Sequence, residues 1–145
     1  MANGWARSVS GNATEGIAWI EDGIRDFRAI GAILGLANHL RLKAEALYLA
    51  NRTFEALEAL REAEAILKRT GEGNWRAEHH RLRGVLLAAI GADETQVEAS
   101  FCEAIRIAKE QKSVSLEKRA EATYAEYRRQ KASASGGRGF RLPLW

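Results

Sequence analysis

The sequence is short of the residues that staple a fold or break it. Its 145 residues include one cysteine, Cys102, and one proline, Pro143. A single thiol excludes an internal disulfide and any multi-cysteine zinc site. The scarcity of proline and of β-branched runs argues against a β-rich protein. Long hydrophobic runs are missing too: the longest, Val85 to Ile90, falls far short of the ~18 residues a spanning helix needs. The N-terminus lacks the basic-then-apolar layout of a secretory signal. Neither sign of charge dominates, with 22 Lys and Arg against 19 Asp and Glu and a net charge of +3. A bulk excess of that size does not mark a nucleic-acid binder, which concentrates its charge in a patch. A soluble cytoplasmic protein is the expectation.

What is present is ordinary globular composition: 46% hydrophobic and 28% charged residues. The length suits one domain. At this size a fold buries roughly 68–70% of its unfolded surface without help from cross-links.

A period of about forty residues runs through the chain. Gly16, Ile20 and Gly23 recur as Ala56, Leu60 and Ala63, 40 residues on, and again as Val97, Phe101 and Ala104, 41 further. Gly4, Ala44 and Gly84 are spaced by 40, as are Gly11, Asn51 and Gly91, and Gly31 and Gly71. Each series keeps its chemistry: small, large apolar, small, turn former. Within each copy the apolar period is 3.6: Ile17, Ile20, Ile24 and Phe27; Ala56, Leu57, Leu60, Ala63 and Leu67; Val97, Phe101, Ala104, Ile105 and Ala108. Glu55 and Glu58 open one helix while Lys68 and Arg69 close it, as the helix dipole favours. Asp93 and Gln96 form a capping-box-like start, and Gly71-Glu72-Gly73 a stop. The pattern predicts six helices, near 13–29, 34–50, 53–69, 75–90, 94–111 and 115–130, pairing as antiparallel hairpins. Stacked pairs bury faces that no single pair buries alone.

Small–large–small spacing after a helix with a small residue and a turn resembles the tetratricopeptide repeat, with longer helices than its usual 34-residue unit. Leu40 and His80 replace the usual first-helix aromatic. The segments Thr70 to Glu78, His80 to Gly84, Glu98 to Phe101, Ala104 to Ala108, Ser115 to Glu117 and Arg119-Ala120 resemble the C-terminal repeats of bacterial multidomain proteins. Those join an adenylate or guanylate cyclase or a DNA-binding domain to a STAND-type ATPase. The resemblance covers about residues 4–130. It implies an all-α, right-handed stack of helix hairpins, a tetratricopeptide-like α-solenoid of about three repeats. The expected domain is 1–131, its first repeat truncated at Gly4, followed by a disordered tail over 132–145, so that the chain reads as a fragment. Lys112 stands where the resembling proteins tend to have Gly.

Catalytic machinery is not expected. Gly11-Asn12-Ala13-Thr14-Glu15-Gly16 lacks the Gly-Lys-Ser/Thr of a phosphate loop and reads as a helix–helix turn. Glu78-His79-His80 invites a metal reading, but adjacent histidines on a helix point about 100° apart. A partly buried His80 at a packing position and a solvated His79 are expected instead, and no metal or cofactor. Cys102 reads as a structural or partly exposed thiol beside Arg106 and Lys109. Gly136-Gly137-Arg138-Gly139-Phe140 resembles an arginine–glycine RNA-binding segment in a single copy.

In the resembling class, first helices line a groove that grips a peptide or partner helix. That places Asn38, Arg41, Glu45 and Tyr48, then Glu78, Arg81 and Val85, as groove positions. Arg41 and Arg81, 40 apart, would stack in register and hold carboxylates bidentately, unless they are simply solvated helix-surface charges. Leu42 and Leu82 stand where carboxylate-binding members carry Asn, which disfavours a chaperone-tail clamp. The expected function is noncatalytic protein–protein interaction or regulation within a larger ATPase- or cyclase-type regulator. The alternative is nucleic-acid binding through basic helix faces and the Gly/Arg tail. A protein or peptide partner is expected and a membrane is not. Self-association is expected through an open apolar end formed by Ile17, Ile20, Ile24 and Phe27.

Overall fold

The structure, a computed structural model, describes residues 13–29, 35–70, 76–133 and 140–144. Among them it is all-helical, with no strand. Six helices occur in chain order: α1 (Ala13–Ala29), α2 (Leu36–Leu49), α3 (Thr53–Thr70), α4 (Arg76–Ala89), α5 (Glu94–Glu110) and α6 (Val114–Ser133). They match the six expected helices within three residues at each end. No helix among the described residues is long and apolar enough to cross a membrane. The chain divides into two compact units, residues 1–72 and 73–145.

In the first unit α2 packs against both α1 and α3. In the second, α5 packs against α4 and α6, and α4 also meets α6 directly. The small–large–small series supplies the contact faces. Ala56, Leu60 and Ala63 on α3, and Val97, Phe101 and Ala104 on α5, are all buried. Gly84 shows why one position must be small. A Cβ there would lie 2.7 Å from the Phe101 ring. The ring therefore packs directly on the α4 backbone, fixing how closely α5 approaches.

Three of the turns share one construction. Asn51, Gly91 and Lys112 take positive φ, at 63°, 74° and 56°. At each the next residue's N–H returns to a carbonyl five residues back: Arg52 to Leu47, Ala92 to Leu87 and Ser113 to Ala108, at 2.8, 3.0 and 2.9 Å. The left-handed residue itself donates to Tyr48, Ala88 and Lys109 respectively. This is the Schellman ending, which satisfies helix carbonyls otherwise left open. Asn51 and Gly91, which the sequence spaces by 40, are thus both left-handed, and Lys112 adopts the conformation that glycine would take without a Cβ penalty.

Several expectations are corrected. Asp93 makes no side-chain cap; its carbonyl instead accepts from the N–H groups of Gln96 and Val97. The apolar end expected at α1 is not open: Ile17, Ile20 and Ile24 are buried. The tail does not begin at residue 132, because α6 runs through Ser133 and residues 140–144 pack back onto the second unit. The segment over 11–16 begins outside the described residues; from Ala13 onward it is already the first turn of α1. Gly4, Gly11, Gly31, the stop at 71–73, the side chain of Phe27 and residues 136–139 lie outside the described residues.

Two stability changes follow. Gly84→Ala gains ~1 kcal/mol of helix propensity but meets a ring with no exposed surface, at an overpacking cost of about 1–3 kcal/mol. The urea midpoint should fall; an unchanged or higher midpoint would contradict the close approach. Lys112→Gly should raise stability by about 1 kcal/mol, because it relieves a left-handed residue that carries a Cβ. A thermal melt showing no increase would contradict the turn geometry.

Candidate functional site

The groove positions expected from sequence are largely buried charges and apolar groups. Burial of charge is affordable only where each group finds partners. In the first unit, Arg41 donates from Nη1 to Glu45 Oε1 at 2.7 Å, and from Nη2 and Nε to Asn38 Oδ1 at 2.8 and 3.2 Å. The three sit at i−3, i and i+4 on α2, the spacing that puts side chains on one helix face. Tyr48, one turn on, is buried.

In the second unit the equivalent arginine is wholly buried: Arg81 has 0% of its surface exposed. Its Nε and Nη2 fork onto the two oxygens of Glu78 at 3.2 and 3.1 Å. Its Nη1 donates to the Thr123 hydroxyl on α6 at 3.2 Å, and Thr123 in turn donates to the Arg119 carbonyl at 3.0 Å. Arg119 Nη1 lies 3.5 Å from Glu78 Oε2. Val85 is buried one turn further along α4. The reading of these residues as solvated helix-surface charges is therefore corrected: both arginines are enclosed, each with a carboxylate partner on its own helix.

The same face of α4 and α6 holds an extended segment, residues 140–144. Pro143 biases Leu142 to an extended backbone. The Phe140 N–H donates to the Ala88 carbonyl at 2.8 Å. Gln130 Nε2 donates to the Arg141 carbonyl at 3.2 Å. The Leu144 carbonyl accepts from Arg119 Nη2 at 2.9 Å and from Arg81 Nη2 at 3.4 Å. The Leu142 side chain is 1% exposed. The Phe140 ring meets Tyr127 edge-on at 5.3 Å, and Tyr127 and Tyr124 flank Phe101 at 6.0 and 5.6 Å. An aromatic series thus links the α4–α5 contact to the seated segment. The segment runs from the Ala88 end of α4 back toward Arg81, seven residues or roughly 10 Å of helix.

Charge elsewhere is locally balanced. Arg25 pairs with Asp22, Arg52 with Glu55, Arg106 with Glu103 and Glu110, Arg129 with Glu126, and Lys131 with Glu94. Hydrogen bonds from Arg129 and Gln130 hold the Glu126 carboxyl down at about 2. Burial and a hydrogen bond to Glu98 push the Tyr124 phenol up to about 12. Burial lowers the pKa of His39 and of His80. His80 is half-buried as expected, whereas the solvated reading of His79 is corrected: it is enclosed. The reason is phase, since His79 shares the i, i+3, i+7 face with Leu82 and Leu86, both buried. Cys102 is exposed, and neighbouring Arg106 is engaged by Glu103 and Glu110. Among the described residues no group of three or more His, Cys, Asp and Glu is placed to hold a metal ion.

Sequence reasoning found Glu78 and Arg81 but missed Thr123, Arg119, Tyr127 and residues 140–144. The available signal was Phe140-Arg141-Leu142-Pro143-Leu144 itself, with apolar side chains at alternate positions.

An uncharacterised protein of Rhizobium meliloti (strain 1021) is 32% identical over 120 residues. The match covers 83% of this chain and 12% of that protein, so the chain spans a small part of the curated relative it matches. No family model and no solved structure matches it.

Removing the Arg81 guanidinium strands Glu78 in a buried site. Arg81→Met should cost about 3–5 kcal/mol, and adding Glu78→Gln should recover part of that loss. A double-mutant cycle in urea checks this, and additive losses would contradict the coupling.

Proposed function

We propose that this chain is a noncatalytic protein-interaction or regulatory module of tetratricopeptide-like, solenoid-type repeats. It works in the cytoplasm as one region of a longer ATPase- or cyclase-type bacterial regulator. The observation that carries this reading is the extended segment 140–144, seated across α4 and α6 largely through its main chain. A helical face that already holds one extended peptide has the shape and the donors to hold another. The forty-residue recurrence of buried small residues and left-handed turns supports the repeat reading. In it, Asn38, Arg41, Glu45 and Tyr48, and Glu78, Arg81 and Val85, frame the binding faces of successive repeats. The arginines brace those faces from within and do not project as free carboxylate hooks. The small share of the Rhizobium protein that the chain spans fits a regulatory region within a longer polypeptide. Nucleic-acid binding is less favoured, because Arg25, Arg52, Arg106 and Arg129, all exposed, are each paired with a carboxylate.

Selection of a random heptapeptide library on the full chain tests the reading. Enriched peptides should share alternating apolar positions, and their affinity should change little with salt. No enriched class, or tight oligonucleotide binding that falls steeply with salt, would overturn it.

A further inference from the structure

The seat on α4 and α6 recognises its occupant in a way that does not depend on whose chain supplies it. Hydrogen bonds to residues 140–144 from α4 and α6 reach main-chain atoms: the Phe140 N–H, the Arg141 carbonyl and the Leu144 carbonyl. Side-chain selection rests on two positions two residues apart. Phe140 meets Tyr127 edge-on, and Leu142 is enclosed. Arg141 and Pro143, between and beyond them, are exposed. That alternation is the period of an extended strand. The resident leaves room for a better fit: Phe140 is only partly buried, and Pro143 has no N–H to offer.

Resting on the interaction-module reading above, we propose that this seat is the docking site of a partner protein's extended segment. Its occupant carries an aromatic residue followed two positions later by leucine, and residues 140–144 are the resident competitor that must leave before it binds. A second copy of this chain is the weaker occupant, since its segment would only exchange contacts that each copy already makes internally. A partner segment adds nothing to α4 and α6 until the resident is displaced, so the bound partner and the released tail are two states of one equilibrium. The affinity seen from outside is the intrinsic affinity reduced by the fraction of chains with an open seat.

The probe is a fluorescent peptide, Phe-Arg-Leu-Pro-Leu, blocked at both ends, titrated by anisotropy into the full chain and into full-length Leu142→Asp. Leu142→Asp should bind at least tenfold more tightly than the native chain, with unchanged helical circular dichroism. Adding Arg119→Ala or Gln130→Ala to that variant should weaken binding several-fold, and a peptide with Asp at its third position should not bind. Should Leu142→Asp lose its helical signal, Phe140→Ser reads the same difference from a partly buried position. Equal affinity for native and released chains, or no saturable binding to either, overturns the proposal. So does a peptide-sensitive dimer of the native chain, which would assign the seat to a second copy. Library peptides that bind native and Leu142→Asp chains alike, indifferent to Arg119→Ala, would overturn the seat and leave the interaction module standing. No enriched peptide on either form would overturn both.

Discussion

A guanidinium with no exposed surface must place its N–H groups on protein acceptors, and Arg81 arranges the second unit around that requirement. Glu78 one turn earlier takes the fork, so the charge is balanced within α4. Thr123 takes Nη1, which fixes α6 against α4 at that level. What is left of Nη2 points to the Leu144 carbonyl. One side chain thereby couples a helix to itself, to its neighbour and to a distant segment. The cost of dehydrating both charges makes the arrangement nearly all-or-none, because any missing acceptor leaves a buried polar group unsatisfied. Arg41 meets the same problem with partners on α2, using Asn38 behind and Glu45 ahead.

The helices were legible because their signals are local. A 3.6 period in apolar residues and a turn former every forty residues locate all six to within three residues. Even the turn geometry was partly visible, since Asn51 and Gly91 belong to residue types that tolerate positive φ. Lys112 was visible only as a departure from the resembling proteins, and the structure gives it the left-handed backbone.

What the sequence hid is set by contacts across long separations. Arg81 and Thr123 are 42 residues apart, and Arg81 and Leu144 are 63 apart. An arginine is usually solvated, so nothing near Arg81 announces its burial apart from Glu78 at i−3. The glycine- and serine-rich stretch after Lys131 argued against helix and order alike, yet whether Leu142 is buried is decided by α4 and α6, not by its neighbours. His79 was misassigned for a related reason. α4 is buried around most of its circumference, and a helix enclosed on nearly every side has no single polar face from which to read phase.

The Phe101 ring resting on the backbone at Gly84 constrains the order in which this sequence can change. A methyl group at position 84 has no room until the ring is gone, whereas Phe101→Leu leaves only a void. Mutational paths to a conventional alanine-lined helix pair are therefore easier through position 101 first, because the reverse order begins with an overpacked contact. The two positions are thus coupled through one contact: what side chain position 84 tolerates depends on what stands at 101.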